Sequence, residues 1–167
     1  MVSRRLTHRT HHYNVRCHWS GSTGAGYDAF SRAHDGEARG AGVGLRLSGD
    51  AAFGGDAGLL NPEQLVVLAA ASCQLLSFLA VAARARIDVR RYEDEGEGTM
   101  AEDDPPTRLT SIVLRPTIWV APGPSDHRVG HLVDVAHREC YVANSLRTDI
   151  RVEPTIIIEP SREDSTN

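Results

Sequence analysis

Three cysteines, Cys17, Cys73 and Cys140, are the side chains of this 167-residue chain best suited to nucleophilic or redox chemistry. A thiolate attacks electrophilic oxygen or sulfur, passes through a sulfenic acid and closes to a disulfide when a second thiol is near. None of the three belongs to a C-x-x-C pair. On a wheel of 3.6 residues per turn, Pro62, Val66, Ala69, Ser77 and Ala80 lie within about 40° of Cys73. All but Val66 are small and would let another helix approach closely. A second stripe, Val133, Ala136, His137, Cys140, Ala143 and Asn144, matches it. If the two stripes face each other the cysteines can meet, and a disulfide needs their Cα atoms within about 7 Å. The competing reading is two small polarizable fillers in a helix–helix seam, and spacing alone gives the fillers a slight edge. Cys17 shares an alternating face with Tyr13, Val15 and Trp19, which suits a sheet residue better than a redox partner.

Other chemistries have less to work with. His8, His11 and His12 could take up a metal adventitiously, but no Cys or carboxylate stands at a fixed spacing from them. Cys73, His137 and Cys140 lack a fourth ligand, so no metal site is assigned. The net charge of −4 supplies no basic field for nucleic acid or an anionic membrane. Leu65 to Ala83 is uncharged and close to the length of a membrane span. Ser72, Cys73, Gln74 and Ser77 interrupt it and alanine fills much of the rest, so it reads as a helix buried in protein. Met1 to His12 is polar and carries no secretion signal, which makes the cytoplasm the expected compartment. A lasting structural disulfide is rare there.

The elements that must position these thiols follow from periodicity and turn residues. Residues 1–12 read as a disordered, His-rich tail and 161–167 as a C-terminal tail, with a single domain over 13–160. Strands are expected from Tyr13 to Trp19, Tyr27 to His34 and Val43 to Ser48, with turns at Ser20-Gly21-Ser22 and Asp35-Gly36. Together they make an N-terminal antiparallel meander. Gly49 to Leu60 is a Gly/Asp-rich loop. Asn61-Pro62-Glu63 then starts a helix in the favoured order of cap, proline and first-turn acid, running to about Arg84–Arg86. Ile87 to Met100 and Thr107 to Val120 read as strands, the second with Ile112, Leu114, Ile118 and Val120 on one face. Pro116 predicts an edge position or a bulge there. A second helix spans Asp126 to about Ser145, and a last strand Arg151 to Glu159. The order is that of an α+β fold.

Asn61-Pro62-Glu63-Gln64-Leu65 followed by Ala70-Ala71-Ser72-Cys73 resembles the N-P-E-x-L…A-x-C signature of the OsmC/Ohr family, the osmotically induced protein C and organic hydroperoxide resistance proteins. Ala136-His137-x-x-Cys140 is similar to that family's second-cysteine helix. Tyr27…Phe30-Ser31-Arg32-x-His34, Ser48-Gly49-Asp50 and Phe53-Gly54-Gly55-Asp56 are similar to the pieces that precede the N-P-E motif in an OsmC-like subgroup. The resemblance spans roughly Trp19 to Pro154. It implies antiparallel sheets around two central helices in an intertwined homodimer, with sites at the subunit interface. It also implies a thiol-dependent reduction of organic hydroperoxides, with Cys73 peroxidatic and Cys140 resolving, and regeneration by a dithiol such as a lipoyl protein. Sulfur alone suffices, so neither metal nor organic cofactor is implied.

A cation is expected beside Cys73, because a free thiol is not ionised near neutral pH. The resemblance makes it an arginine held by Glu63, with Arg32 the first choice and Arg46 the second; His137 is either a binding residue or a seam residue. Glu63 and Cys73 are ten residues apart, about 15 Å along an ideal helix. Either an arginine bridges them, the helix starts irregularly, or Glu63 comes from a partner's antiparallel helix. The chain departs from the family pattern at Gly54, where relatives often carry arginine, at Gln74, often histidine, and at Tyr141, where typical peroxidases have proline. The alternative function is an OsmC-like redox sensor or binding protein without efficient turnover.

Overall fold

A computed structural model describes residues 10–160. Arg4, Arg5, Arg9 and His8 of the tail and residues 161–167 lie outside the described residues. The chain divides into two compact units, one ending at Pro62 and one beginning at Glu63.

The first unit is a three-stranded antiparallel meander of β1 (Val15–His18), β2 (His34–Ala38) and β3 (Gly44–Leu47), in that order across the sheet. The strands expected at its two ends form, shortened. The middle one does not start at Tyr27. It begins at His34 and carries Asp35 and Gly36 inside it, where they pair with His18 and Cys17 on one side and with Arg46 and Leu45 on the other. Two flanking strands override the turn preference of an Asp-Gly pair. The turn falls instead after β2, where Gly40 and Gly42 take positive φ. Residues 49–60 are a loop folded around a single 3-10 turn, Ala51–Phe53, capped by the Asp50 side chain and closed by Gly54 at φ 76°.

The second unit packs helices on one face of a mixed sheet. The helix α1 (Pro62–Arg84) begins and ends where Asn61-Pro62-Glu63 and Arg84 predict. The long strands β4 (Val89–Met100) and β5 (Leu109–Val120) pair antiparallel. After α2 (Asp126–Glu139) and the five-residue α3 (Tyr141–Ser145), the chain returns as β6 (Asp149–Val152) and β7 (Thr155–Ile158). Both lie parallel to β5, so the sheet is mixed rather than purely antiparallel, as a helical crossover between neighbouring strands allows. The single last strand expected from sequence is thus two. β6 covers β5 up to Leu114 and β7 from Thr117, and Pro116 sits in the gap between them, buried in the central strand. Pro116 needs neither an edge nor a bulge because the ladder is already interrupted at its position. Ile112, Leu114, Ile118 and Val120 share the buried face of β5, as their alternation predicts.

The core joins Phe78, Val81 and Ala82 of α1 to Ile118 and Val120 of β5 and to Val129, Val133 and Ala136 of α2. A smaller cluster gathers Ala70, Ile112 and Leu114, with Val142 of α3 packed against it. Gly96 and Gly98 of β4 make room for Val67 of α1. A Cβ at Gly98 would stand 2.7 Å from a Val67 methyl, so α1 lies hard against the sheet. Its opposite face is open. Leu68 and Leu76 are 56% and 63% exposed, and Leu79, Ala69, Ser72, Ala80 and Ala83 are exposed with them. By length and composition α1 is apolar enough to cross a membrane, yet only 28% of its most apolar window is buried. The helix expected to be buried in protein is therefore half covered by its own chain.

Candidate active site

Cys73 lies in the middle of α1, half-buried, and Cys140 is almost completely buried. Both are free thiols within hydrogen-bonding reach of one another. The thiols do come together, but the expected first stripe does not face the second helix as a whole: Pro62, Ala69 and Ala80 are exposed, α1 meets α2 through Gln74, Phe78 and Val81, and the second helix is not continuous. The chain breaks at Cys140, whose φ of −70° and ψ of 113° are extended. Cys140 closes α2 with its own N–H on the His137 carbonyl at 3.2 Å, and its carbonyl opens α3 by accepting from Asn144 at 3.0 Å. In an unbroken helix the N–H groups of Tyr141 and Val142 would be bound to carbonyls four residues back. The break frees them, as the first N–H groups of any helix are free. Val142 N–H donates to Cys73 Sγ at 3.5 Å.

This geometry sets the ionisation of the pair. Burial raises the Cys73 thiol, but the Val142 N–H, the Cys140 thiol, the Tyr141 N–H and the Ser77 hydroxyl outweigh it, so its pKa falls below the usual 9.0. Cys140 moves the other way. Burial raises it first, and the neighbouring Cys73 adds to that against the N–H groups of Ala143 and Val142. One thiol is thereby prepared as a nucleophile and the other held as a proton-bearing partner, the division of labour a thiolate and a resolving thiol require.

The remaining candidates stand as follows. Glu63 is in the first turn of α1, half-buried. The helix is regular from Pro62 to Arg84, which removes the irregular start that would have shortened its distance to Cys73. Arg32 is held within the first unit. Its guanidinium donates to the carbonyls of Tyr27 at 3.0 Å, Phe30 at 3.2 Å and Gly54 at 3.3 Å. Its guanidinium carbon also lies over the Tyr27 and Phe30 rings, 4.6 and 4.5 Å from their centres. Arg32 explains Gly54, since a Cβ there would lie 2.9 Å from the guanidinium carbon on a backbone already at positive φ. Arg46 Nη1 donates to both carboxylate oxygens of Asp35, its register partner across β2 and β3, at 2.9 Å to each. His137 lies one turn before Cys140, with Nδ1 buried and unpartnered. Gln74, next to Cys73, is buried and donates to the Val133 carbonyl at 3.4 Å, which ties α1 to α2 behind the thiols. Among the described residues no three His, Cys, Asp or Glu side chains gather as a metal site.

Sequence reasoning did not find the two N–H groups at the α2–α3 break, because nothing in Glu139-Cys140-Tyr141 marks a helix end. It also passed over Tyr92 and Asp94. Tyr92 and Asp94 share the half-buried side of β4 while Arg91, Glu93 and Glu95 are exposed. A register shift between Val89 and Arg91 is what turns Tyr92 inward along with Val89.

The family model described as OsmC-like protein matches residues 54–155. A search of curated proteins finds no match. Among solved structures, an OsmC-like protein of unknown function from Vibrio cholerae superposes with a TM-score of 0.79 at 27% identity, covering 89% of this chain and all of that one. An organic hydroperoxide resistance protein from Elizabethkingia anophelis gives 0.67 at 17% identity, over 91% of this chain and 99% of that one. Its counterpart OhrB from Bacillus subtilis gives 0.60 at 19%, over 88% and 98%. The matched segment contains the Asn61-Pro62-Glu63 helix start, the Cys73–Cys140 pair and the α2–α3 break, and the chain belongs to the OsmC-like protein family.

Proposed function

We propose that the protein is a thiol-dependent peroxidase that reduces organic hydroperoxides. The observation that carries this reading is Cys73 Sγ lying against the freed N–H of Val142 and beside the Cys140 thiol, with the first sulfur favoured as thiolate and the second as thiol. The Cys73 thiolate attacks the outer oxygen of ROOH. The O–O bond breaks, ROH leaves after taking a proton, and Cys73 becomes a sulfenic acid. Cys140 then displaces the hydroxyl as water and the disulfide closes, which protects the sulfur from irreversible oxidation. Two further thiols, from a dithiol such as a lipoyl group, return the pair to its starting state. Family membership and the hydroperoxide resistance proteins among its structural neighbours support the reading. In this reading a second copy covers the open face of α1, Glu63 anchors an arginine near Cys73, and Arg32 is that arginine.

The test is consumption of cumene hydroperoxide or tert-butyl hydroperoxide under anaerobic dithiol by the wild type and by Cys73→Ser. Catalytic loss of peroxide in the wild type alone is the expected result. Wild-type protein that consumes no more than the variant would sink the enzyme. A disulfide that forms once without turnover would make the protein a redox sensor instead.

A further inference from the structure

Residues 19–33 join β1 to β2 without a helix or strand of their own. Connections of that length are uncommon in compact domains, and those held in one shape by their own side chains usually serve a function. This one is so held. The Trp19 indole N–H donates to the Ser31 carbonyl at 2.7 Å and draws the two ends together. Its ring meets the Phe30 ring edge-on, 6.2 Å between centres, and Gly21 lies against it, where a Cβ would stand 2.7 Å from the indole. Beside the loop is a pocket of about 420 Å³ walled by Cys17, Trp19, Phe30, Arg32, His34 and Pro62 among others, all in the first unit. The polar tips around it are engaged elsewhere. The Arg32 guanidinium is on the carbonyls of Tyr27, Phe30 and Gly54, and Ser48 Oγ accepts the Asp56 N–H at 3.0 Å. His34 Nδ1 donates to the Arg32 carbonyl at 2.9 Å. The pocket surface is accordingly almost wholly apolar, with the exposed Cys17 in its wall.

We propose that this pocket binds a neutral aromatic small molecule, at a site that uses neither Cys73 nor Cys140. Its volume falls within the roughly 300–1,000 Å³ of small-molecule sites, and its walls are ordered before any ligand arrives, which lowers the entropic cost of binding. Charge complementarity excludes an ion. A carboxylate or ammonium group entering the pocket would lose its water and meet no opposite charge, because the Arg32 tip is turned onto carbonyls. Shape and polarisability favour a ring over an alkyl chain. The Trp19 and Phe30 rings offer the offset and edge-to-face contacts that aromatic groups prefer, and the Cys17 sulfur is a soft, polarizable neighbour for a ring. Phe30, Arg32, His34, Ser48 and Gly49, which stand in the sequence pieces ahead of the Asn61-Pro62-Glu63 helix start, thus converge on one cavity.

The test uses 4-fluorobenzyl alcohol as probe and 4-fluorobenzoate as its charged counterpart, with no hydroperoxide present, so its failure is separate from failure of the peroxidase reading. In protein carrying Cys73→Ser and Cys140→Ser the remaining thiol is Cys17, and its alkylation by iodoacetamide reports on the pocket. At about four times its Kd the alcohol leaves roughly one-fifth of sites free, so alkylation should slow about fivefold. The benzoate at the same concentration should leave the rate unchanged. In otherwise unaltered protein, titration followed by fluorine resonance should show saturable binding of the alcohol. Trp19→Ala removes a wall, and Cys17→Trp fills the pocket from an exposed strand position where the fold tolerates it; each should weaken binding about tenfold. No saturable binding, binding that leaves Cys17 alkylation unslowed, or equal affinity in both variants overturns the proposal. Equal protection by the benzoate overturns it as well, since the site is then not selective for a neutral ligand. Conversion of a dimer into a monomer by Cys17→Trp in sedimentation would also overturn it, because the pocket then holds a second copy of the chain.

Discussion

Cys73 has a depressed pKa although the largest single influence on it, burial, acts in the opposite direction. Its donors must therefore outweigh desolvation together, and removing one should be visible. A hydrogen bond to a charged group is worth about 1.5–3 kcal/mol, or roughly one to two pKa units. Cys140→Ala removes a side-chain donor, and the Cys73 titration, followed by thiolate absorbance or by the pH dependence of iodoacetamide alkylation, should rise by up to about one unit. No rise would mean that the backbone N–H groups alone hold the thiolate. The two thiols also pull stability in opposite directions with pH. The depressed Cys73 contributes stability that is fully present above the free-thiol value and is lost as pH falls through its folded value. The raised Cys140 contributes below the free-thiol value and loses its share as pH rises through its own folded value. Peroxide consumption by the reduced protein should accordingly fall as pH drops through the Cys73 titration, not through the higher one of Cys140.

At the scale of elements, the break between α2 and α3 matters most, and it suggests a substitution that tests it. Tyr141 is exposed and opens α3, the position where proline's fixed φ suits a helix and its missing N–H costs the helix nothing. Cys140, before it, already has the extended backbone that a following proline demands. Tyr141→Pro should therefore be accommodated, its gain of about 0.4–1 kcal/mol through the unfolded chain offset by loss of the Tyr141 N–H bond to Cys73, so that net stability changes by less than about 1 kcal/mol. It should also lift the Cys73 pKa, since the Tyr141 N–H donor is lost. Denaturant unfolding and thiol titration read the two effects separately, and a variant destabilised by more than that would show that the break is not where proline fits. This break was invisible in the sequence because it is made by tertiary contact: Glu139-Cys140-Tyr141 contains no Gly, Pro or capping pair. The ends of α1 and the buried face of β5 were legible because Asn61-Pro62-Glu63 and strict alternation are local signals. Asp35-Gly36 misled for the complementary reason, a local turn signal overruled by strands on both sides. For the site, the thiol pair was readable from the motif, whereas the N–H donors depend on a helix break that no local signal marks.

At the scale of the molecule, the open apolar face of α1 and the position of Glu63 pose one question. Leu68, Leu76 and Leu79 with Ala69, Ala80 and Ala83 form a continuous exposed stripe, and contiguous apolar patches of this kind mark interaction surfaces. A second copy docking through the same face would cover it symmetrically. Leu76→Asp should then convert a dimer into a monomer in sedimentation at micromolar concentration, and a wild type that is already monomeric would remove the idea. The same arrangement would let a glutamate about 15 Å along a regular helix from Cys73 serve the site. If α1 meets its copy in antiparallel fashion, each Cys73 is served by the other chain's Glu63. Glu63→Gln should lower peroxidase turnover roughly tenfold or more, as loss of a charge-assisted contact implies. Cys73→Ser should abolish it. Co-expression of the two variants decides between the arrangements. In half of randomly paired dimers, one site combines the intact Cys73 of the first chain with the intact Glu63 of the second, so activity should recover to about a quarter of wild type. If Glu63 serves the cysteine of its own chain, no mixed site is complete and the mixture stays at about half the Glu63→Gln level, since half of its chains lack Cys73.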